Sequence, residues 1–178
     1  MAGSPDDRHV RTKEFITTWC PNTSAESIDW STASDPSDRY NCMGFAVGVL
    51  AWWQPLVFSD GELLTPDHYW PKGAPQDEGG LVESYVEAAT TEGFVICDGP
   101  DWEEGFEKIS LYFKPDTEGR KLFTHAARHK TPGWWESKLG EYSDIVHEPD
   151  ALDGCIWYGD GRIHMRRVFP RLSPPSGT

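Results

Sequence analysis

The chain has no long apolar run. Its longest, Phe45 to Trp53, falls far short of the roughly 20 apolar residues that span a bilayer, so no membrane crossing is expected. Residues Met1 to Arg11 are polar and charged and lack the apolar centre of a secretory signal. The expected location is cytoplasmic, or exported by a route that uses no N-terminal signal peptide. Basic residues are scarce, with 16 Lys and Arg against 29 Asp and Glu and a net charge of −13. Phosphate backbones are gripped by clustered Lys and Arg, so nucleic acid is not an expected partner. A cationic substrate or a basic partner protein suits this balance better. The basic run Arg162 to Arg167 reads as a last strand with outward arginines. Cys20, Cys42, Cys97 and Cys155 form no CxxC pair. That spacing gives zinc no support and predicts free thiols in a reducing cytosol. The acidic turn Asp98 to Gly105 lacks the oxygen-ligand spacing of an EF-hand. No metal and no cofactor is expected.

A chain of 178 residues suits a single domain with a proper core. The expected domain covers residues 13–170, with a loose N-terminus over 1–12 and a loose Pro- and Ser-containing tail over 171–178. The periodicity predicts helices near 42–53 and 81–91, the second ending at Gly93. Strands are expected at 94–97, 108–113, 121–128, 134–139 and 163–169, giving an α+β fold with N-terminal helices packed on an antiparallel sheet. Residues 54 to 80, rich in Pro and Gly, read as a long irregular insertion.

The most informative stretch is Tyr40 to Gly48. A polar segment gives way there to an apolar helix, with Asn41 as N-cap and Cys42 in the first turn. Unpaired N–H groups and the helix dipole favour a thiolate at such a place. A thiol nucleophile needs a base, and the base needs a third group to hold its tautomer. His125, on the strand Lys121 to His129, is the candidate base. A hairpin turning at Lys130 to Gly133 would set it opposite residues around 136 to 138. Glu136 is therefore the first choice of acceptor, with Ser137 weaker and Asp144 the alternative if the chain folds back.

Asn41-Cys42-Met43-Gly44-Phe45, Thr124-His125-Ala126 and Trp135-Glu136-Ser137-Lys138-Leu139-Gly140, in this order, resemble the papain-like cysteine hydrolases of the NlpC and CHAP circle. With Tyr69-Trp70-Pro71 and Glu107-Lys108-Ile109, they are also similar to an uncharacterised family of small bacterial proteins, over roughly residues 38 to 168. The resemblance implies a papain-like fold and a Cys42–His125 pair. Asn41, Tyr40, Trp135 and Lys138 are then candidates for oxyanion or substrate contacts. Nine tryptophans are many for this length, and in the Trp134-Trp135 pair one ring packs inward while the other lines a cleft.

Three function classes follow. The first, and the one the Cys42–His125 pattern favours, is a cysteine hydrolase or acyltransferase acting on a peptide or protein amide, as an amidase, deamidase, peptidase or transglutaminase-like enzyme. The second is a papain-like scaffold used only for binding. The third is a small acidic immunity or adaptor protein for a basic partner.

Overall fold

A computed structural model describes residues 5–24, 26–29, 37–55, 68–77 and 80–169. The tail expected after residue 170, and much of the insertion expected over 54 to 80, lie outside the described residues. The chain runs α1 (Pro5–Trp19), β1 (Ile28–Asp29), α2 (Cys42–Val47), β2 (Trp52–Trp53), β3 (His68–Tyr69), α3 (Val82–Thr91) and β4 (Val95–Ile96). It continues through β5 (Phe106–Pro115), β6 (Lys121–Thr131), β7 (Trp134–Lys138), β8 (Asp144–His147) and β9 (Gly161–Val168). Among the described residues one antiparallel sheet forms in the order β1-β8-β7-β6-β5-β9-β4, and β2 pairs with β3 in parallel beside it. The fold is α+β, and most of its regular structure is sheet. No helix among the described residues is long and apolar enough to cross a membrane.

Alternation along the strands divides the core in two. Ile109, Leu111, Ala126 and Met165 face α2 and α3 and pack with Cys42, Met43, Trp53 and Val82. Tyr112, Ala127, Trp135 and Ile145 face the other way, toward Ile16 of α1 and toward Leu152 and Tyr158. The β5–β6 ladder slips at one point: Tyr112 pairs with His125 but Phe113 with Phe123, leaving Thr124 as the extra residue.

The structure corrects several expectations. The helix predicted over 42–53 stops at Val47, because Gly48 takes a left-handed conformation (φ 81°) and caps it through its N–H to the Phe45 carbonyl. Segment 49–51 then folds back over Gly44, where a Cβ would lie 2.1 Å from the Ala51 carbonyl oxygen. Residues 5–12, expected to be loose, belong to α1, and Thr12 on that helix is fully buried. The strands β1 and β8 went unpredicted, since each is too short to show an apolar period. Cys20 and Cys155 are joined by a disulfide, against the expectation of four thiols. The end of α1 and segment 150–158 bring them together, and the Ile156 N–H bonds the Trp19 carbonyl beside them. The β9 arginines do not simply point outward. Arg166 pairs with Glu103, Arg167 with Glu107, and Arg162 with Asp150 and Asp153.

Candidate functional site

Asn41 caps α2 as expected: its Oδ1 accepts the Gly44 N–H at 3.1 Å. The same oxygen accepts the Trp53 N–H at 3.1 Å, and its Nδ2 donates to the Trp53 carbonyl at 2.6 Å. This amide thus stitches α2 to β2 through its oxygen and one of its two N–H groups.

Cys42 is buried against β6. Its sulfur accepts the backbone N–H groups of Ala126 and Met43, and the Lys138 ammonium acts on it through space. These influences, together with the residue's own backbone N–H, favour a thiolate, but burial opposes them and wins, and the thiol is pushed up to about 11. At neutral pH the sulfur is protonated, contrary to the activated thiolate expected at a helix start.

His125 and Cys42 share no hydrogen bond among the described residues. Its neighbour Ala126 packs with Cys42 on the α2 face. The His125 ring stacks on Tyr158 at 4.1 Å and lies 5.5 Å from Tyr112, both of the α1 face. Its Nε2 is buried without a hydrogen bond. Burial, and secondarily the charge of His147, depress its pKa to about 3, so the ring is neutral. The physical reason is the period of two: residues adjacent on a strand point to opposite faces.

Glu136 does not hold the histidine. It pairs with Arg128 at 2.7 Å and with Lys130 at 3.6 Å. In the observed register Ser137 lies opposite Ala127, so β7 ends at Lys138 before it reaches the level of His125. Trp135, expected beside a substrate, is buried in the α1-side cluster. Trp134 is only half-buried, and it is not among the residues that line the cleft described below.

The structure brings four of the named residues together instead: Tyr40, Cys42, Lys138 and Asp144. Asp144 sits opposite Lys138 in the β7–β8 ladder and accepts from the Tyr40 hydroxyl at 3.1 Å. The Lys138 Nζ lies 5.4 Å from the Tyr40 ring centre and donates to the Tyr142 carbonyl. Lys138 is fully buried. Desolvation lowers its pKa, and the charges of Asp144 and Cys42 oppose that.

Two further groups went unnoticed in the sequence. Arg128 stacks over the Phe45 ring at 4.0 Å and donates to the Phe45 carbonyl at 2.9 Å, clamping the C-terminal turn of α2 to the sheet. β6 mixes polar and apolar residues throughout, so nothing in its sequence singled Arg128 out. Ser137 Oγ lies 2.9 Å from His147 Nε2, and His147 Nδ1 lies 2.7 Å from the Glu148 carbonyl. Nδ1 therefore donates to the carbonyl and Nε2 accepts from the serine. Both side chains are fully buried, which makes this a satisfied core network.

Beyond the C-terminal end of α2 opens a cleft of about 350 Å³, within the size range of ligand sites. Lys108, Arg128, Lys130 and Arg167 line it with only two carboxylates, Glu107 and Glu136. Trp102, Phe106 and Phe169 add aromatic surface. In the neighbouring acidic turn the Glu103 carboxylate is taken up by Arg166 and Lys108. Among the described residues no three His, Cys, Asp or Glu side chains are placed to share a metal ion.

No curated protein and no solved structure shows a significant match to this chain. Residues 31–166 match a family described as a domain of unknown function, DUF7689. This stretch contains α2, Cys42, Lys138, Asp144 and nearly all of the sheet, and the chain belongs to that family.

Proposed function

We propose that this chain is a papain-like scaffold used for binding a peptide or protein segment, with its Cys–His pair unassembled. One observation carries the reading: the Cys42 thiol, held protonated, packs with the α2-side cluster, while the His125 ring packs on tyrosines of the α1-side cluster with its Nε2 unbonded. The other expected members are occupied too, Asn41 with Trp53 and Glu136 with Arg128. The cleft past α2 offers a place for a ligand. The acidic surface favours encounter with a basic partner. The Cys20–Cys155 disulfide supports export over a reducing cytosol.

The test is the rate of iodoacetamide alkylation at Cys42 against pH, read by mass spectrometry with the free thiol Cys97 as internal reference. Cys42 is expected to react more slowly than Cys97 at pH 7, to accelerate up to about pH 11, and to keep this profile in His125→Asn. Fast alkylation with a plateau below pH 8, abolished by His125→Asn, would overturn the reading.

The Lys138 charge and the N–H groups around the sulfur favour a second reading, a cysteine hydrolase or acyltransferase acting on an amide. There the Lys138 amine, its pKa lowered, takes the Cys42 proton and the thiolate attacks the amide carbonyl. The proton passes to the departing amine as the thioester forms, and water or another amine resolves it. Under this reading Lys138→Met abolishes turnover of an amide substrate together with Cys42→Ser.

A further inference from the structure

The cleft beside α2 has an unusual floor. β5 begins at Phe106 and β6 runs on to Thr131, but the ladder between them stops at Ile109 and Arg128. Past that point each strand is paired, among the described residues, only on its outer side. Phe106, Glu107 and Lys108 pair with β9, and His129 and Thr131 with β7. The two strands diverge, and their facing edges line the cleft. Strand edges left unpaired are templates for another extended chain. Segment 99–102 crosses one side of the gap: the Gly99 carbonyl accepts from the Lys108 Nζ at 3.2 Å, and Trp102 lies against His129 at 5.6 Å.

The charge at this gap is opposite to that of the chain. Four cations face two carboxylates in the lining, although acidic residues outnumber basic ones almost two to one overall. Glu136 is shared between Arg128 and Lys130, so its single charge cannot neutralise both. Lys130 stays partly exposed at the mouth, where Trp102 and Phe169 are also exposed.

We infer that the wedge between the diverging ends of β5 and β6 binds the C-terminal end of an extended peptide, its main chain pairing with a strand edge and its terminal carboxylate meeting Lys130 and Arg128. The strand edges call for a main chain, and the excess of cations calls for the one anion that every peptide carries at its end. This inference rests on the binding reading above and names the ligand of that site.

The probe is a randomised N-acetylated hexapeptide library in two forms, free carboxylate and C-terminal carboxamide, passed over the immobilised full-length chain. The carboxylate form is expected to be retained about tenfold better, the factor that one charge-assisted hydrogen bond of roughly 1.4 kcal/mol supplies. The best-retained sequence is then titrated by tryptophan fluorescence, with Trp102 as the reporter. Lys130→Gln, at a partly exposed position, is expected to weaken it about tenfold with an unchanged melting curve. N-methylation of the last two peptide bonds is expected to abolish binding, because it removes main-chain donors. Equal retention of the two forms, or indifference to N-methylation, would overturn the inference, and so would acetate competing as well as the peptide itself. Slow Cys42 alkylation with any of these outcomes sinks this inference alone. Fast, His125-dependent alkylation sinks the binding reading itself.

Discussion

On the α2 face of the sheet the buried ionisable groups engage one another: Lys138 acts on Cys42, lies against Tyr40 and sits opposite Asp144, which accepts from Tyr40. On the α1 face the buried histidines are isolated from charge partners. His125 stacks on Tyr158 and lies tilted against Tyr112 with Nε2 unbonded, and His147 is satisfied by a serine and a carbonyl. The contrast shows what burial does to each kind of group. Without a counter-charge a histidine stays neutral and behaves as an aromatic filler. Next to a cation a thiol is drawn toward ionisation, and here burial still outweighs that pull. One strand, β6, serves both faces, so sequence neighbours as close as His125 and Ala126 belong to different environments.

The strongest way to test this division is to open each face in turn. Trp53→Ala on the α2 side and Trp135→Ala on the α1 side, both fully buried rings, are each expected to cost about 3–5 kcal/mol in urea unfolding. A cost below about 1 kcal/mol for either would show that its face is not closely packed.

Next comes the disulfide, which belongs to the α1 face alone. The double change Cys20→Ser and Cys155→Ser is expected to cost about 2–4 kcal/mol. Amide exchange should speed up in α1 while the amides of α2 keep their protection. Equal loosening of both helices would break the comparison.

Acid should act through the α1 face as well. The pKa of His125 is depressed to about 3 and that of His147 to about 4, both first by burial. The unfolded chain therefore binds more protons than the folded one below the ordinary value of 6.5. The stability is complete above that pH and is lost as pH falls toward 4 and then 3, at a slope of up to about 1.4 kcal/mol per pH unit for each histidine. His125→Phe keeps the stack on Tyr158 and should flatten the slope measured by urea unfolding between pH 6 and 4. An unchanged slope would count against the neutral ring.

The smallest effect is expected at Glu136. Glu136→Gln removes a partly exposed ion-pair partner of Arg128 and should cost no more than about 1 kcal/mol. It should leave the alkylation profile of Cys42 untouched. A shift of that profile would reconnect Glu136 to the thiol.

Much of the architecture could be read from residue order. The runs from Lys108 to Phe113 and from Lys121 to Arg128 carry strand-forming side chains between turn residues, and they form β5 and β6. Asn41 before an apolar run marked the start of α2. The site was less legible, and the failure has a definite source. Ala126 and Ala127 are both small and both fully buried, so nothing in that stretch discloses which face of β6 is which. Without the phase, His125 could be assigned to the thiol's side as easily as to the other. The bulge at Thr124 is equally silent in sequence. Asp144 stood as the alternative acceptor if the chain folds back, and β8 does fold back, but it brings Asp144 to Tyr40 and Lys138.

The sequence by itself determined the acidic character, the α+β class, the cap on α2 and the positions of the long strands, because these follow from composition and local period. Only the tertiary structure decided the rest. It set which face each β6 side chain occupies, joined Cys20 to Cys155 across 135 residues, and gathered Tyr40, Cys42 and Asp144 around Lys138. It also parted β5 from β6 to open the cleft. These depend on register and on contacts between segments distant along the chain, and a one-residue change of register turns every side chain of a strand to the opposite face.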